Sequence, residues 1–193
     1  GIKIFLEEIK KSLFNVYKKS CVMGNSGDTK EAQIKKIRTW VQTHSYLPSV
    51  GRIVLAAPGS GKSTWIAKHP DWIDADDIMK DLGIHEEGWH YVQHTDAEVE
   101  QHYRRCDQLL GIMREEGLKV LGSLFWEFKA DAIVQINEEV HQEYVKQRKD
   151  LKWKDVQEVR EVLTTLAKDR QITVHDTFDK ACRPLTIKSM SLF

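Results

Sequence analysis

Five apolar residues, Ile53-Val54-Leu55-Ala56-Ala57, run directly into Pro58-Gly59-Ser60-Gly61-Lys62-Ser63-Thr64, and this junction restricts the fold more than any other stretch. A short apolar run of this kind is typical of a parallel strand buried on both faces. Gly59 and Gly61 can adopt backbone angles closed to other residues, so successive N–H groups can point inward and form a nest for an anion. A helix beginning near Lys62 and continuing to Lys68 would add the positive end of its dipole. The stretch fits the phosphate-loop pattern G-x-x-x-x-G-K-[ST], with Ala56 standing where the first glycine would be. In this reading Pro58, Gly59, Ser60, Gly61, Lys62, Ser63 and Thr64 cradle the phosphates of a nucleoside triphosphate. Lys62 bridges the β- and γ-phosphates, and the Ser63 hydroxyl ligates magnesium.

The segments on either side agree with such a junction. Residues 2–20 read as an amphipathic helix, with Ile2, Leu6, Ile9, Leu13 and Val16 on one stripe, and this helix is a candidate surface for a protein partner. Gly24-Asn25-Ser26-Gly27 reads as a loop, and Asp28 with Glu31 as a capping box opening a second helix through Ile34, Ile37 and Val41. Pro48 and Gly51 close this helical extension, so the chain divides into residues 1–50 and a domain from 51 to 193. Within that domain, strands are expected at 72–74, 118–123, 132–136 and 172–174. Helices are expected from Thr95, whose partner Glu98 completes a capping box, to Gly117, from Glu138 to about Arg148, and from about Val156 to Ala167. Strands alternating with helices imply right-handed crossovers and a parallel sheet covered on both faces.

Composition narrows the class of function. Lys plus Arg and Asp plus Glu are both 29, so the formal net charge is zero and a globally basic nucleic-acid coat is excluded. The three cysteines, Cys21, Cys106 and Cys182, are scattered and form no CxxC pair, which fits a reducing compartment. No apolar run is long enough to span a bilayer, so the expectation is a soluble, cytoplasmic protein without a membrane partner.

The second chemical signal is Ile73-Asp74-Ala75-Asp76-Asp77-Ile78, at the end of the next expected strand. Ligands of open α/β sheets lie beyond the carboxyl ends of the strands. An acid there, one strand on from the phosphate loop, can accept a proton from a substrate hydroxyl. One of Asp74, Asp76 and Asp77 is also expected to cap the following helix.

Together, APGSGKST and IDADD resemble the P-loop kinases that phosphorylate hydroxyl groups, namely polynucleotide, gluconate and zeta-toxin-like kinases. The resemblance extends as a fold pattern over about residues 52–178, although only the two short motifs are specific. It implies a three-layer α/β P-loop kinase fold with a five-stranded parallel sheet, here with a helical N-terminal extension. It also implies ATP and Mg2+ as cofactors and Asp76 as the base that activates the hydroxyl; because the aspartate usual at the end of the third strand is absent, Asp74 or a water would serve beside Ser63 at the metal. Gly122-Ser123 is similar to the end of the third strand in gluconate kinases, where nucleotide kinases carry an aspartate.

Such kinases bring positive charge to the transferred phosphoryl group from a lid. Residues 143–154 stand in the lid position, with Arg148 as the lid arginine and Lys146 or Lys149 as substitutes. Asp77, Arg104 and Arg105 are assigned to the acceptor side, while Met79 stands where polynucleotide kinases usually carry an arginine. His85, His90, His94 and His102 cluster, but without a third ligand of fixed spacing. Trp89 and Tyr91 are equally base-stacking or core residues. The expected activity is phosphoryl transfer from ATP to a hydroxyl of a nucleic acid or nucleoside. A small-metabolite or nucleoside monophosphate kinase is the alternative within enzymes. A nucleotide-binding switch or assembly module without acceptor turnover is the alternative of another class.

Overall fold

The computed structural model describes residues 29–84, 95–123 and 128–184. The expected helix at 2–20, the loop at 24–27, Asp28, and the histidines and aromatics of residues 85–94 lie outside the described residues.

Helix α1 (Lys30–Thr43) is capped by Thr29, whose hydroxyl accepts from the Ala32 N–H at 3.2 Å. This corrects the expected Asp28–Glu31 box. Once Thr29 supplies the cap, the third helical position is Ala32, which has no carboxylate to return the bond. The chain then runs through β1 (Arg52–Ala56), α2 (Lys62–Ala67), β2 (Ile73–Asp74), α3 (Ala75–Asp81) and α4 (Asp96–Glu115). It continues with β3 (Lys119–Gly122), β4 (Ala132–Val134), α5 (Glu138–Lys146), α6 (Trp153–Arg170), β5 (Val174–His175) and α7 (Phe178–Ala181). The capping box at α4 forms as expected, with Thr95 Oγ1 accepting from the Glu98 N–H and the Glu98 carboxylate accepting from the Thr95 N–H. The last strand begins at Val174, two residues later than expected, because only Val174 and His175 pair with β4. This edge strand leaves Val174 exposed, so it lacks the apolar run that marks a central strand.

All strand pairs are parallel, and the sheet order is β2-β3-β1-β4-β5. The fold is the expected three-layer α/β architecture, and alternation along β1 generates the layers. Ile53 and Leu55 join the larger core under α1, α3, α4 and α6, with Ile37, Ile78, Leu110, Met113 and Leu163. Val54 and Ala56 face the other way, into a smaller core with Trp72, Leu121, Val134, Phe178, Trp65 and Ile66. Right-handed crossovers explain the division. The chain leaves β1 toward the β2 edge and leaves β4 toward the β5 edge, so α2 and α5–α6 lie on opposite faces. The order therefore reverses at β1, and the crevice at its carboxyl end is where such sheets bind ligands.

The helical extension is not peripheral where it is described. Ile37 is fully buried in the larger core, and Arg38 makes two hydrogen bonds to Glu116 at the end of α4, 2.7 and 2.9 Å. Trp40 Nε1 donates to Asp81 at the end of α3. Among the described helices, none is long and apolar enough to cross a membrane.

Because its whole side chain is enclosed, Ile37→Ala should destabilise the protein by about 2–5 kcal/mol in a denaturant titration. A loss below about 1 kcal/mol would make α1 an attachment and not part of the core.

Candidate functional site

The loop between β1 and α2 owes its shape to two glycines with positive φ, Gly59 at 74° and Gly61 at 95°. Gly61 is the N-cap of α2, and no side chain caps that end. Three successive carbonyls are turned outward onto donors. The Ala56 carbonyl accepts from Lys62 Nζ at 3.4 Å, the Ala57 carbonyl from the buried Ser60 hydroxyl at 2.7 Å, and the Pro58 carbonyl from His141 at 2.9 Å. No backbone carbonyl among the described residues accepts from the amides of Gly59, Ser60, Gly61 or Lys62. Donors concentrated at a helix N-terminus suit an anion. Ser63 and Thr64 are exposed on the first turn of α2, where their hydroxyls are open to a ligand.

Lys62 is buried and donates to Ser123 Oγ at 2.7 Å, so the Gly-Ser end of β3 receives the ammonium directly. Burial pushes its pKa down, Asp76 and Asp74 push it up, and Arg148 pushes it further down. Three residues singled out from sequence, Asp74, Asp76 and Arg148, thus act on the charge of a fourth, Lys62. Asp74 closes β2 and caps α3, accepting from the Asp76 N–H at 2.9 Å. That settles which of the three aspartates is the cap and leaves its second carboxylate oxygen for another partner. Burial, and then the neighbouring Asp76 charge, raise the Asp74 pKa. Asp76 and Asp77 are exposed in the first turn of α3.

The expected lid segment lies against the loop. A Cβ on Gly59 would come within 3.0 Å of both Val145 and Leu151, and one on Gly61 would lie 3.7 Å from the Tyr144 ring. Arg148 is exposed just beyond α5 and donates through Nε to Asp150 at 3.0 Å. An exposed pair of this kind contributes about 0–1 kcal/mol, so little opposes turning the guanidinium toward a phosphate. Lys146 pairs with Glu143 on the exposed side of α5. Arg104 donates to Glu100 one turn earlier on α4, at 2.7 Å, and Arg105 is half-buried on the same helix. His102 is buried in α4 beside Cys106.

Sequence reading missed two residues. His141 contacts the Pro58 carbonyl, 83 positions away, and Arg160 donates to His141 Nδ1 at 2.9 Å and to the Ile136 carbonyl at 2.9 Å. No spacing rule connects them, since the contact is made only when α6 packs beside α5.

The oxygens of Ser63 and Asp74 are hard donors of the kind that suits magnesium, an ion usually bound through one or two carboxylates, waters and substrate phosphates. No group of three His, Cys, Asp or Glu side chains among the described residues could hold a metal alone. A cation here would depend on phosphate oxygens for the remainder of its shell. No protein-family model matches the chain, and no curated protein matches it in sequence.

Because the unfolded chain holds the Lys62 proton more tightly than the folded one, stability should rise with pH up to the ordinary lysine value, 10.5. Lys62→Met removes the buried charge while keeping an unbranched stem. Without ligand its thermal midpoint should exceed wild type by a few degrees, about 1 kcal/mol, and the alkaline slope should flatten. A midpoint several degrees lower in scanning calorimetry would show that Asp74 and Asp76 outweigh the burial.

Proposed function

We propose that the protein transfers the γ-phosphoryl group of ATP to a hydroxyl of a nucleic acid or nucleoside, with Mg2+ bound beside Ser63 and Asp74. The observation that carries this reading is a buried lysine at the base of an amide-lined loop, bonded to the end of β3 and lying within the electrostatic reach of Asp74, Asp76 and Arg148. In the proposed reaction the amides of Gly59, Ser60, Gly61 and Lys62, with the Lys62 ammonium, hold the phosphate oxygens. Asp76, exposed in the first turn of α3 two residues past the end of β2, accepts the proton of the attacking hydroxyl. That oxygen bonds to the γ-phosphorus as the bond to the β–γ bridging oxygen breaks, and ADP leaves. Arg148 turns from Asp150 to meet the charge spread over the equatorial oxygens. A bound magnesium ion would neutralise charge on the β- and γ-oxygens. Asp77, Arg104 and Arg105 are assigned to the acceptor side.

One set of proteins tests the reading: wild type, Lys62→Ala, Asp76→Asn and Arg148→Ala, each measured for ATP affinity and for turnover on nucleic acids, nucleosides and sugars. Lys62→Ala should lose both. Asp76→Asn should bind ATP as wild type does and lose about 10²–10⁴-fold in turnover. Arg148→Ala should lose more turnover than affinity, because its charge is needed as the phosphoryl group moves. A wild type that binds ATP tightly and phosphorylates nothing would replace the kinase reading with that of a nucleotide-binding switch.

A further inference from the structure

We propose that His141 is a positioning residue for the 56–64 loop, held as the Nε2–H tautomer by Arg160 so that it fixes the Pro58–Gly59 peptide for phosphate binding. The inference rests on the phosphate-site reading above and deepens it.

The hydrogen-bond directions follow from the donor inventory. Arginine has no acceptor, so its contact with His141 Nδ1 at 2.9 Å requires a lone pair on that nitrogen. The ring proton then sits on Nε2, where it donates to the Pro58 carbonyl at 2.9 Å. Arg160 is itself anchored by donating to the Ile136 carbonyl, at the start of the connection from β4 to α5. The Trp153 ring meets the imidazole edge-on, with centroids 5.6 Å apart. Histidine and arginine are therefore both braced by the elements that follow β4.

The consequence for the loop comes from peptide geometry. No peptide bond among the described residues is cis, and in a trans peptide the carbonyl and the following N–H point in opposite directions. Drawing the Pro58 carbonyl toward α5 turns the Gly59 N–H away from α5. Gly59 has φ of 74°, and that flexible residue would otherwise allow the peptide to rotate. Pro58 has no N–H of its own, so its carbonyl is the group by which α5 can hold this corner of the loop.

The arrangement depends on a neutral imidazole. Protonation would put a hydrogen on Nδ1 facing the Arg160 guanidinium. The charged groups around the ring are Arg160 on α6, Lys62 on α2 and, next to Arg160, Glu138 on α5. Burial holds His141 below the usual imidazole range, and Arg160 and Lys62 add to this against the opposing Pro58 bond. As pH falls below the ordinary value near 6.5, the unfolded chain takes up this proton before the folded one. The clamp and its stabilisation are thus intact at neutral pH and lost on the acid side.

The test measures MgATP affinity by calorimetry from about pH 5 to pH 8 for wild type, His141→Leu and His141→Gln, with melting temperatures to confirm folding. His141→Leu keeps bulk without a donor and should weaken binding about tenfold at neutral pH. His141→Gln offers an uncharged N–H at similar reach. It should stay within about threefold of wild type at neutral pH and show a shallower acid-side decline, the part that remains coming from the triphosphate itself and from Asp74. Long-range proton–nitrogen NMR of the ligand-free wild type should show the Nε2–H tautomer, and Arg160→Met should release that preference. Equal affinity and equal pH profiles for wild type and His141→Leu, or an Nδ1–H tautomer in the wild type, would overturn this inference alone. A wild type that binds no triphosphate at any pH would overturn the phosphate-site reading and the inference with it. If His141→Leu fails to fold, His141→Gln and the tautomer measurement still decide: a glutamine variant with the wild-type acid decline would overturn the proposal.

Discussion

Lys62 carries its ammonium beneath the end of the central strand, where burial acts against the charge and Asp74 and Asp76 act for it. Its hydrogen bonds to Ser123 Oγ and the Ala56 carbonyl span β3 and β1. An ammonium in such surroundings is costly unless its partners are held to it, so the positions of the nearby strand ends are not free to vary. The sheet meets that requirement by putting β1 between β3 and β4 with all five of its residues buried, and by seating β2 beside β3. Asp74 then arrives on one side of the lysine from β2. The chain that leaves β4 arrives on the other as α5 and its following turn.

The same constraint explains why the loop needs so many side-chain donors. A loop whose amides face a common direction must send its carbonyls elsewhere, and buried carbonyls require partners. Lys62, Ser60 and His141 supply them for Ala56, Ala57 and Pro58 in turn. Two of these donors come from the loop itself, and the third comes from a helix that also bears on Gly59 through Val145. The loop is therefore framed from within and held at one corner from outside.

What the sequence revealed follows the range of the interactions involved. The β1–loop–α2 junction and the Thr95 capping box are local, and residues within three or four positions determine them. Alternation of strands and helices indicated a parallel sheet covered on both faces, whereas the strand order that switches at β1 is set by which strands pair in the folded sheet. The N-cap of α1 could not be read with equal security, because Asp28 and Thr29 are adjacent competent caps and the register of the helix on α4, through Ile37 and Arg38, decides between them. The final strand was misplaced because β5 is a two-residue edge whose limits come from pairing with Ile133 and Val134, not from its own pattern. His141 was invisible for a related reason. A lone histidine on a short polar helix has no spacing signature, and its role exists only through partners brought in by two other elements.

The division of labour around Lys62 also bears on which parts of the site can vary independently. The ammonium, the amides and the Asp74 cap are tied to strand ends, so their relative positions are set by the sheet and their effects on the site are coupled. Asp76, Asp77 and Arg148 differ in kind, being exposed side chains at or just beyond helix ends, with Arg148 paired to Asp150 two residues on. Groups of that sort can reorient when a ligand arrives without breaking buried structure. Under the kinase reading this is the appropriate arrangement. The part that grips phosphate is fixed before binding, so little ordering cost is incurred at that moment. The groups that meet the acceptor and the moving charge retain the freedom to close around it.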